Sequence, residues 1–310
     1  MNIQEIVIAG AGTMGYSMAQ IFAKYHYSVI IYDLNEEALS NAKKHIQDNV
    51  SILLNEQELT SQQSQDLFNH LSYTTNKDCF KECDLVVESI IEDLKIKKSF
   101  YQDISQFVKD ECILATNTSG ISINELASAV YKPERFIGMH WFNPCHLVLL
   151  IEIIKGKETH DSIADAIYQL SLSIDKKPVI VNKDVLGFAA NRIQFAVLRE
   201  ALYLVEQGVI SKEGIDDVMK YGLGFRYACL GPLEVADFGG LDTFYHISDY
   251  LMKDLCDSHE IPSELKEHYM KHEYGVKCQQ GFYDYHNGKD VEAIKQRDEN
   301  LIKIFHALYR

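Results

Sequence analysis

The chain has 310 residues, about twice the ~150 of a single domain, with 46% apolar and 24% charged residues; that ordinary usage excludes a disordered, collagenous or coiled-coil chain. Lys and Arg number 30 against 45 Asp and Glu, a net charge of −15, the wrong sign for gripping phosphate backbones or anionic membranes, so no nucleic-acid or membrane partner is expected. Seven cysteines, an odd number without CxxC spacing, argue against a disulfide framework or a zinc site and fit a reducing cytoplasm.

The N-terminus enters a strand-like run, Ile3–Ala9, with no basic leader or small-residue cleavage site. No apolar run approaches the ~20 residues that span a bilayer, so a cytoplasmic protein is expected. Gly10-Ala11-Gly12-Thr13-Met14-Gly15 follows, then a helical stretch from Thr13 to Lys24 and a second strand, Ser28–Tyr32, closed by Asp33. Strand, glycine turn, helix and strand form a βαβ unit. G-x-G-x-x-G in that setting predicts a dinucleotide site: the first glycine makes the turn, the second admits the pyrophosphate, and the third lets helix pack on strand. Asp33 would accept the adenosine ribose hydroxyls and repel a 2′-phosphate, and Asn35 offers no cation, so NAD is expected rather than NADP.

Further strands are expected at Asp84–Val87, Cys112–Ala115, Arg135–Met139, Leu147–Ile154 and Pro178–Val181, with helices near 36–52, 94–108 and 160–173. The polar segment Leu53–Asn76 reads as a helical excursion without a strand of its own. After Val181 the pattern turns helical: Phe188–Gln207 has helical apolar spacing, Gly208 is a natural terminator, and Ser211 caps Lys212–Tyr221. One more strand is expected at Phe282–Tyr285. The fold class is therefore α/β, a Rossmann-like doubly wound and mostly parallel sheet over residues 1–184 with the excursion near 53–76, followed by a smaller all-helical domain over 185–310.

Gly138-Met139-His140-Trp141-Phe142-Asn143-Pro144 ends one strand, and Leu149–Ile154 forms the next. Pairing of the two would bring His140 to Glu152, and a carboxylate on one imidazole nitrogen fixes the tautomer and raises the basicity of the other. From spacing alone the pair fits either a general base or a hydrogen-bonded structural histidine.

The sequence resembles the 3-hydroxyacyl-CoA dehydrogenase family across nearly its whole length. The resemblance rests on the glycine loop, Val87-Glu88 with Glu92-Asp93-Leu94-Lys95-Ile96-Lys97, Asn117-Thr118-Ser119 and Gly138–Pro144 with Glu152. In the helical part it includes Leu186-Gly187-Phe188 with Asn191-Arg192, Gly231-Pro232-Leu233 and Gly281–Tyr285. It implies His140 as catalytic base, Glu152 as its orienting partner, Ser119 at the reacting oxygen, and Asn191 with Asn143 at the substrate. It also implies Glu92, Lys97 and Asn117 near the nicotinamide ribose, a homodimer through the helical domain, and oxidation of a 3-hydroxyacyl-CoA. No metal is needed for that reaction, and no H-E-x-x-H spacing occurs.

Gly222-Leu223-Gly224-Phe225-Arg226-Tyr227-Ala228 with Gly231-Pro232-Leu233-Glu234 is similar instead to a branch acting on free hydroxy acids, the L-gulonate 3-dehydrogenases related to lambda-crystallin. That likeness implies Arg226 as a fork for a substrate carboxylate, unless it caps a carbonyl or pairs with Glu234 inside the helical domain. No Lys or Arg lies between Lys44 and Lys77 to meet CoA phosphates, leaving Lys43, Lys44, Lys95 and Lys98 as candidates. β-Hydroxyacid dehydrogenases of the 6-phosphogluconate type share the glycine loop but use a lysine that Gly187–Arg192 lacks. A recruited structural protein fits poorly with the joint presence of Ser119, His140, Glu152 and Asn191.

Overall fold

The computed structural model describes residues 3–55 and 59–309. It divides into two compact units, Met1–Arg192 and Ile193–Arg310.

The first unit is built on an eight-stranded sheet: β1 (Glu5–Ala9), β2 (Ser28–Tyr32), β3 (Leu71–Thr74), β4 (Leu85–Glu88), β5 (Ile113–Thr116), β6 (Phe136–Trp141), β7 (Leu150–Lys155) and β8 (Lys177–Val181). Their order across the sheet is β3-β2-β1-β4-β5-β6-β7-β8. All neighbours run parallel except β6 and β7. The helices between them are α1 (Thr13–Lys24), α2 (Glu36–Asn55), α3 (Ser61–Asn69), α4 (Leu94–Ile104), α5 (Ile123–Ala127) and α6 (Asp161–Ser173).

Successive side chains of a strand point to opposite faces, and a sheet covered on both sides needs apolar residues at both parities. On β1, Ile6 and Ile8 enter one hydrophobic cluster while Val7 and Ala9 enter the other. On β4, Leu85 and Val87 join the first and Val86 the second. The unbroken apolar runs of the sequence have this cause. At β1 the strand order reverses, placing β2 on one side and β4 on the other, and a crevice opens beyond the C-terminal ends of β1 and β4.

The expected excursion over 53–76 needs a correction. Its helical character is present in the end of α2 and in α3, where Thr60 and Gln63 form a reciprocal capping box. The segment also contributes β3, which pairs with β2 from Val29↔Leu71 to Tyr32↔Thr74. Leu71-Ser72-Tyr73-Thr74 is an edge strand without a fully buried residue, so it carries no apolar run to announce it. Residues 56–58 of the excursion lie outside the described residues.

The second unit contains most of α7 (Ala190–Glu206), which starts in the first unit, then α8 (Lys212–Asp217), α9 (Gly224–Tyr227), α10 (Pro232–Gly239), α11 (Leu241–Leu251), α12 (Ser263–Met270) and α13 (Lys289–Tyr309). Ser211 accepts from Gly214 N as the cap of α8, and a π-helical stretch, Val218–Leu223, joins α8 to α9. The strand expected at Phe282–Tyr285 is absent; Gln280↔Asp284 and Gly275↔Gln280 are isolated bridges within a turn-rich loop. Four alternating residues cannot form a strand where no neighbouring strand offers a ladder.

Candidate active site

The glycine loop lies at the sheet's reversal point. Gly10 has φ 109°, and a Cβ there would lie 2.4 Å from Ser89 O. At Gly15 a Cβ would lie 1.9 Å from Gly10 O, so the loop closes on the helix only with glycine at both ends. A Cβ on Gly12 would meet nothing within 4 Å, and Gly12 caps α1 without any side-chain bond. The first turn of α1 thus presents N–H groups that the helix cannot satisfy, beside open space and at the positive end of the dipole. These residues fit a diphosphate.

Asp33, one residue past β2, divides its carboxylate between Ala11 N at 2.9 Å and Asn35 N at 3.0 Å. Each oxygen keeps a second lone pair for a ribose hydroxyl. Asp33 therefore both shapes the loop and faces the crevice end of β2.

His140 and Glu152 are direct partners in the antiparallel β6–β7 register. Nδ1 of His140 lies 3.0 Å from Glu152 Oε2, and Nε2 lies 3.1 Å from Ser119 Oγ. An ionised carboxylate only accepts, so Nδ1 carries the proton and Nε2 presents its lone pair toward Ser119. His140 is 3% exposed and Glu152 1%, with Phe142 and Phe188 against the imidazole at centroid distances of 4.4 and 5.6 Å. Phe188 holds a left-handed φ of 52°, a costly conformation for a bulky residue, and so reaches the histidine.

The other carboxylate oxygen of Glu152 accepts from Ala189 N and Ala190 N, at 3.0 and 2.9 Å, where α7 begins. Burial pushes this carboxyl up, but the bond to His140 and the two N–H groups outweigh burial and hold it below the usual carboxylate range. Asn191, on the first turn of α7, donates through Nδ2 to Ser119 O at 2.8 Å. The structure thus brings together His140, Glu152, Ser119 and Asn191.

Glu92 accepts from Thr118 Oγ1 at 2.5 Å and from Ser119 N at 3.0 Å, with Lys97 Nζ 3.2 Å away. Burial raises its carboxyl, while Thr118 and Lys97 lower it by more. Lys97 is 1% exposed, and its ammonium also meets the fully buried Glu88. Glu88 Oε2 accepts in addition from Thr116 Oγ1 at 2.7 Å and Tyr101 OH at 3.2 Å. Asn117 Oδ1 accepts from Trp141 N at 2.8 Å, tying the end of β5 to β6. Glu88 and Thr118 stand in the motifs of the resemblance without a role of their own, and Tyr101 and Thr116 escaped the sequence reading. The available signal was a lysine four residues before Tyr101 on the buried stripe of α4, which also includes Ile104.

Asn143 lies exposed just beyond β6. Cys145 is buried, its Sγ 3.7 Å from Met14 Sδ, and burial pushes its thiol up to about 12, which suits packing rather than nucleophilic chemistry. In the second unit Arg226 is exposed on α9, while Glu234 accepts from Gly231 N at the start of α10, so the expected alternative of an Arg226–Glu234 pair is not what engages Glu234. Among the described residues, no helix is long and apolar enough to cross a membrane and no group of three His, Cys, Asp or Glu is placed to hold a metal ion.

Comparison with known proteins adds independent findings. The model of the 3-hydroxyacyl-CoA dehydrogenase NAD binding domain matches residues 5–185, and that of the 3-hydroxyacyl-CoA dehydrogenase C-terminal domain matches 187–285. The 5-formyl-3-hydroxy-2-methylpyridine 4-carboxylate 5-dehydrogenase of Mesorhizobium japonicum is 34% identical over 308 residues, 97% of each chain. The 3-hydroxybutyryl-CoA dehydrogenase of Clostridioides difficile is 34% identical over 282 residues, 91% of this chain and 99% of that one. Among solved structures, a 5-formyl-3-hydroxy-2-methylpyridine 4-carboxylic acid 5-dehydrogenase, an NAD+ dependent dismutase, superposes with a TM-score of 0.91 at 32% identity over 99% of both chains. The (S)-3-hydroxybutyryl-CoA dehydrogenase of Ralstonia eutropha gives 0.78 at 33% identity, over 92% of this chain and 100% of that one.

Proposed function

Because the chain belongs to the 3-hydroxyacyl-CoA dehydrogenase family, and is thus an NAD-dependent oxidoreductase, we propose that it oxidises the 3-hydroxyl of a 3-hydroxyacyl substrate, a short-chain acyl-CoA first, to the 3-oxo product. The observation that carries this reading is the chain Glu152–His140–Ser119, buried at the carboxylate and imidazole and exposed at the serine, with an unprotonated Nε2 offered to a hydroxyl.

NAD supplies the hydride acceptor when bound; the loop Gly10–Gly15, Asp33 and Glu92 would hold it, with Asn117 beside them. The chain's own part is proton handling. Nε2 of His140 takes the hydroxyl proton as the carbinol hydrogen leaves as hydride and the C–O bond becomes C=O. Glu152 stabilises the imidazolium that forms. Ser119 Oγ, released from Nε2, donates to the substrate oxygen, and the second N–H of Asn191 serves the substrate's own carbonyl, with Asn143 nearby. Lys97 acts through Glu92, whose other oxygen fixes Ser119 N. The residue roles, and the division into an NAD-binding domain over 1–184 and a substrate and dimerisation domain over 185–310, are parts of the same proposal.

A second reading has a specific observation behind it. The match at TM-score 0.91 extends over the whole chain and is to an enzyme named for a carboxylate-bearing pyridine. On that reading the substrate is a free hydroxy acid, with Arg226 gripping its carboxylate. One screen separates the two: NAD reduction with 3-hydroxybutyryl-CoA, 3-hydroxybutyrate and L-gulonate. The primary reading expects turnover of the thioester at least about tenfold above either acid. Turnover of the acids alone would replace it with the second, and an inert protein would overturn both.

The partner proposed is a second copy of the chain through the helical unit. Leu202 is the one buried hydrophobic side chain among that unit's described residues, while Leu233 and Phe238 on α10 are both 81% exposed and Tyr245 on α11 is 74% exposed. Apolar faces of this kind favour association.

A further inference from the structure

Lys176, between α6 and β8, is 5% exposed, and among the described residues no carboxylate pairs with it. Its Nζ donates to Cys145 O and to Val148 O, the latter at 2.9 Å, and lies 5.5 Å from the centroid of the Trp141 ring. Both carbonyls belong to the connection of residues 142–149 that leaves β6 just after His140 and carries Asn143. Within that connection Leu147 N and Val148 N both donate to Pro144 O, which folds the segment on itself, and Lys177 N of β8 donates to Leu149 O at its far end, away from Asn143. A buried cation without a counter-charge is expensive, and an apolar side chain would fill the same space at less cost. What an apolar side chain cannot do there is donate to two carbonyls that converge from different residues.

We propose that Lys176 is a positioning residue of the reaction: its ammonium clamps the β6–β7 connection through the Cys145 and Val148 carbonyls and so fixes Asn143 and the end of the strand that bears His140. The catalytic consequence rests on the reading of His140 as the base; the clamp itself does not.

The groups facing the ammonium are Cys145 in the connection and Lys24 at the end of α1. The adjacent Asp175 takes the Tyr25 hydroxyl at 2.5 Å. Burial lowers Lys176 to about 8, with Lys24 acting in the same direction and Cys145 against it. Trp141 is the chain's one tryptophan, so its fluorescence reads the charge above its ring without a label.

The test compares wild type with Lys176→Met. Wild-type tryptophan fluorescence should titrate with an inflection near pH 8, and the variant should lose it. Backbone amides of residues 142–149 should exchange at least about tenfold faster in the variant while those of β6 and β7 keep their protection. With 3-hydroxybutyryl-CoA, kcat should fall about tenfold or more at unchanged NADH affinity, since a displaced positioning residue acts on orientation. An inflection that survives in the variant, or unaltered exchange over 142–149, would overturn the clamp. Wild-type kcat despite a loosened connection would overturn the positioning role. If the methionine variant does not fold, Lys176→Arg keeps the cation and should keep the protection but show no inflection near pH 8; an arginine variant that titrates like wild type overturns the clamp equally. The fluorescence and exchange measurements contain no substrate, so their failure is distinct from failure of the proposed reaction.

Discussion

His140 and Glu152 stand opposite each other in the β6–β7 ladder, and Glu152 gives one oxygen to the imidazole and the other to the backbone that opens α7. On the proposed mechanism the carboxylate therefore has a chemical task beside its structural one, and the two respond differently to substitution. Glu152→Gln keeps an acceptor for Ala189 and Ala190 and should affect stability by less than about 1 kcal/mol. Glu152→Ala leaves the buried Nδ1–H of His140 and the part-buried N–H groups of Ala189 and Ala190 without their acceptor and should cost about 2–4 kcal/mol in urea unfolding. Equal losses in the two variants would contradict the division of labour.

The same carboxylates set an acid limit. Glu152 and Glu92 are both held below the ordinary value of 4.5. A carboxyl depressed on folding binds fewer protons native than unfolded, so its stabilisation is complete above 4.5 and is lost as pH falls through the lowered values. Unfolding free energies from about pH 6 down to about pH 3 should decline below 4.5, and Glu152→Gln should flatten part of that decline. A decline of equal slope in the variant would remove Glu152 from the account.

Asp33 is expected to select the cofactor. It holds Ala11 N and Asn35 N besides the ribose role proposed for it, so Asp33→Ala would confuse loop damage with lost selection. Asp33→Asn retains an acceptor and removes the charge. Its preference for NAD over NADP, from fluorescence titration of the reduced forms, should narrow on the order of tenfold or more. An unchanged ratio would place selection elsewhere.

Phe238 on α10 tests the association proposed for the helical unit. Light scattering should give a dimer for the wild type and a monomer for Phe238→Glu, because a carboxylate in an apolar interface loses its hydration without a partner. A wild-type monomer at all concentrations would remove the second copy.

Much of this molecule is legible in its sequence because the physics is local. Gly10 and Gly15 are dictated by a turn and a close helix approach, and strands covered on both faces must be apolar at both parities. His140 and Glu152 are twelve residues apart on adjoining strands, so a single assumption of pairing brings them together. What was hidden depends on distant partners. Tyr101 reads as an ordinary helix face, and Lys97 is singled out only by the family resemblance, until Glu88, from β4, is found beneath them. β3 was missed because half-buried edge residues carry no apolar run, and Lys176 looks like any lysine before a strand until its burial is seen.

The most direct test of the central claim is turnover by His140→Gln, Glu152→Gln and the double variant, each with NADH affinity measured alongside. The account predicts a kcat lowered about 10²–10⁴-fold for His140→Gln, a smaller loss for Glu152→Gln, and a double variant little worse than His140→Gln alone, because Glu152 acts through the histidine. Near-normal turnover by His140→Gln, or losses that multiply in the double variant, would contradict it.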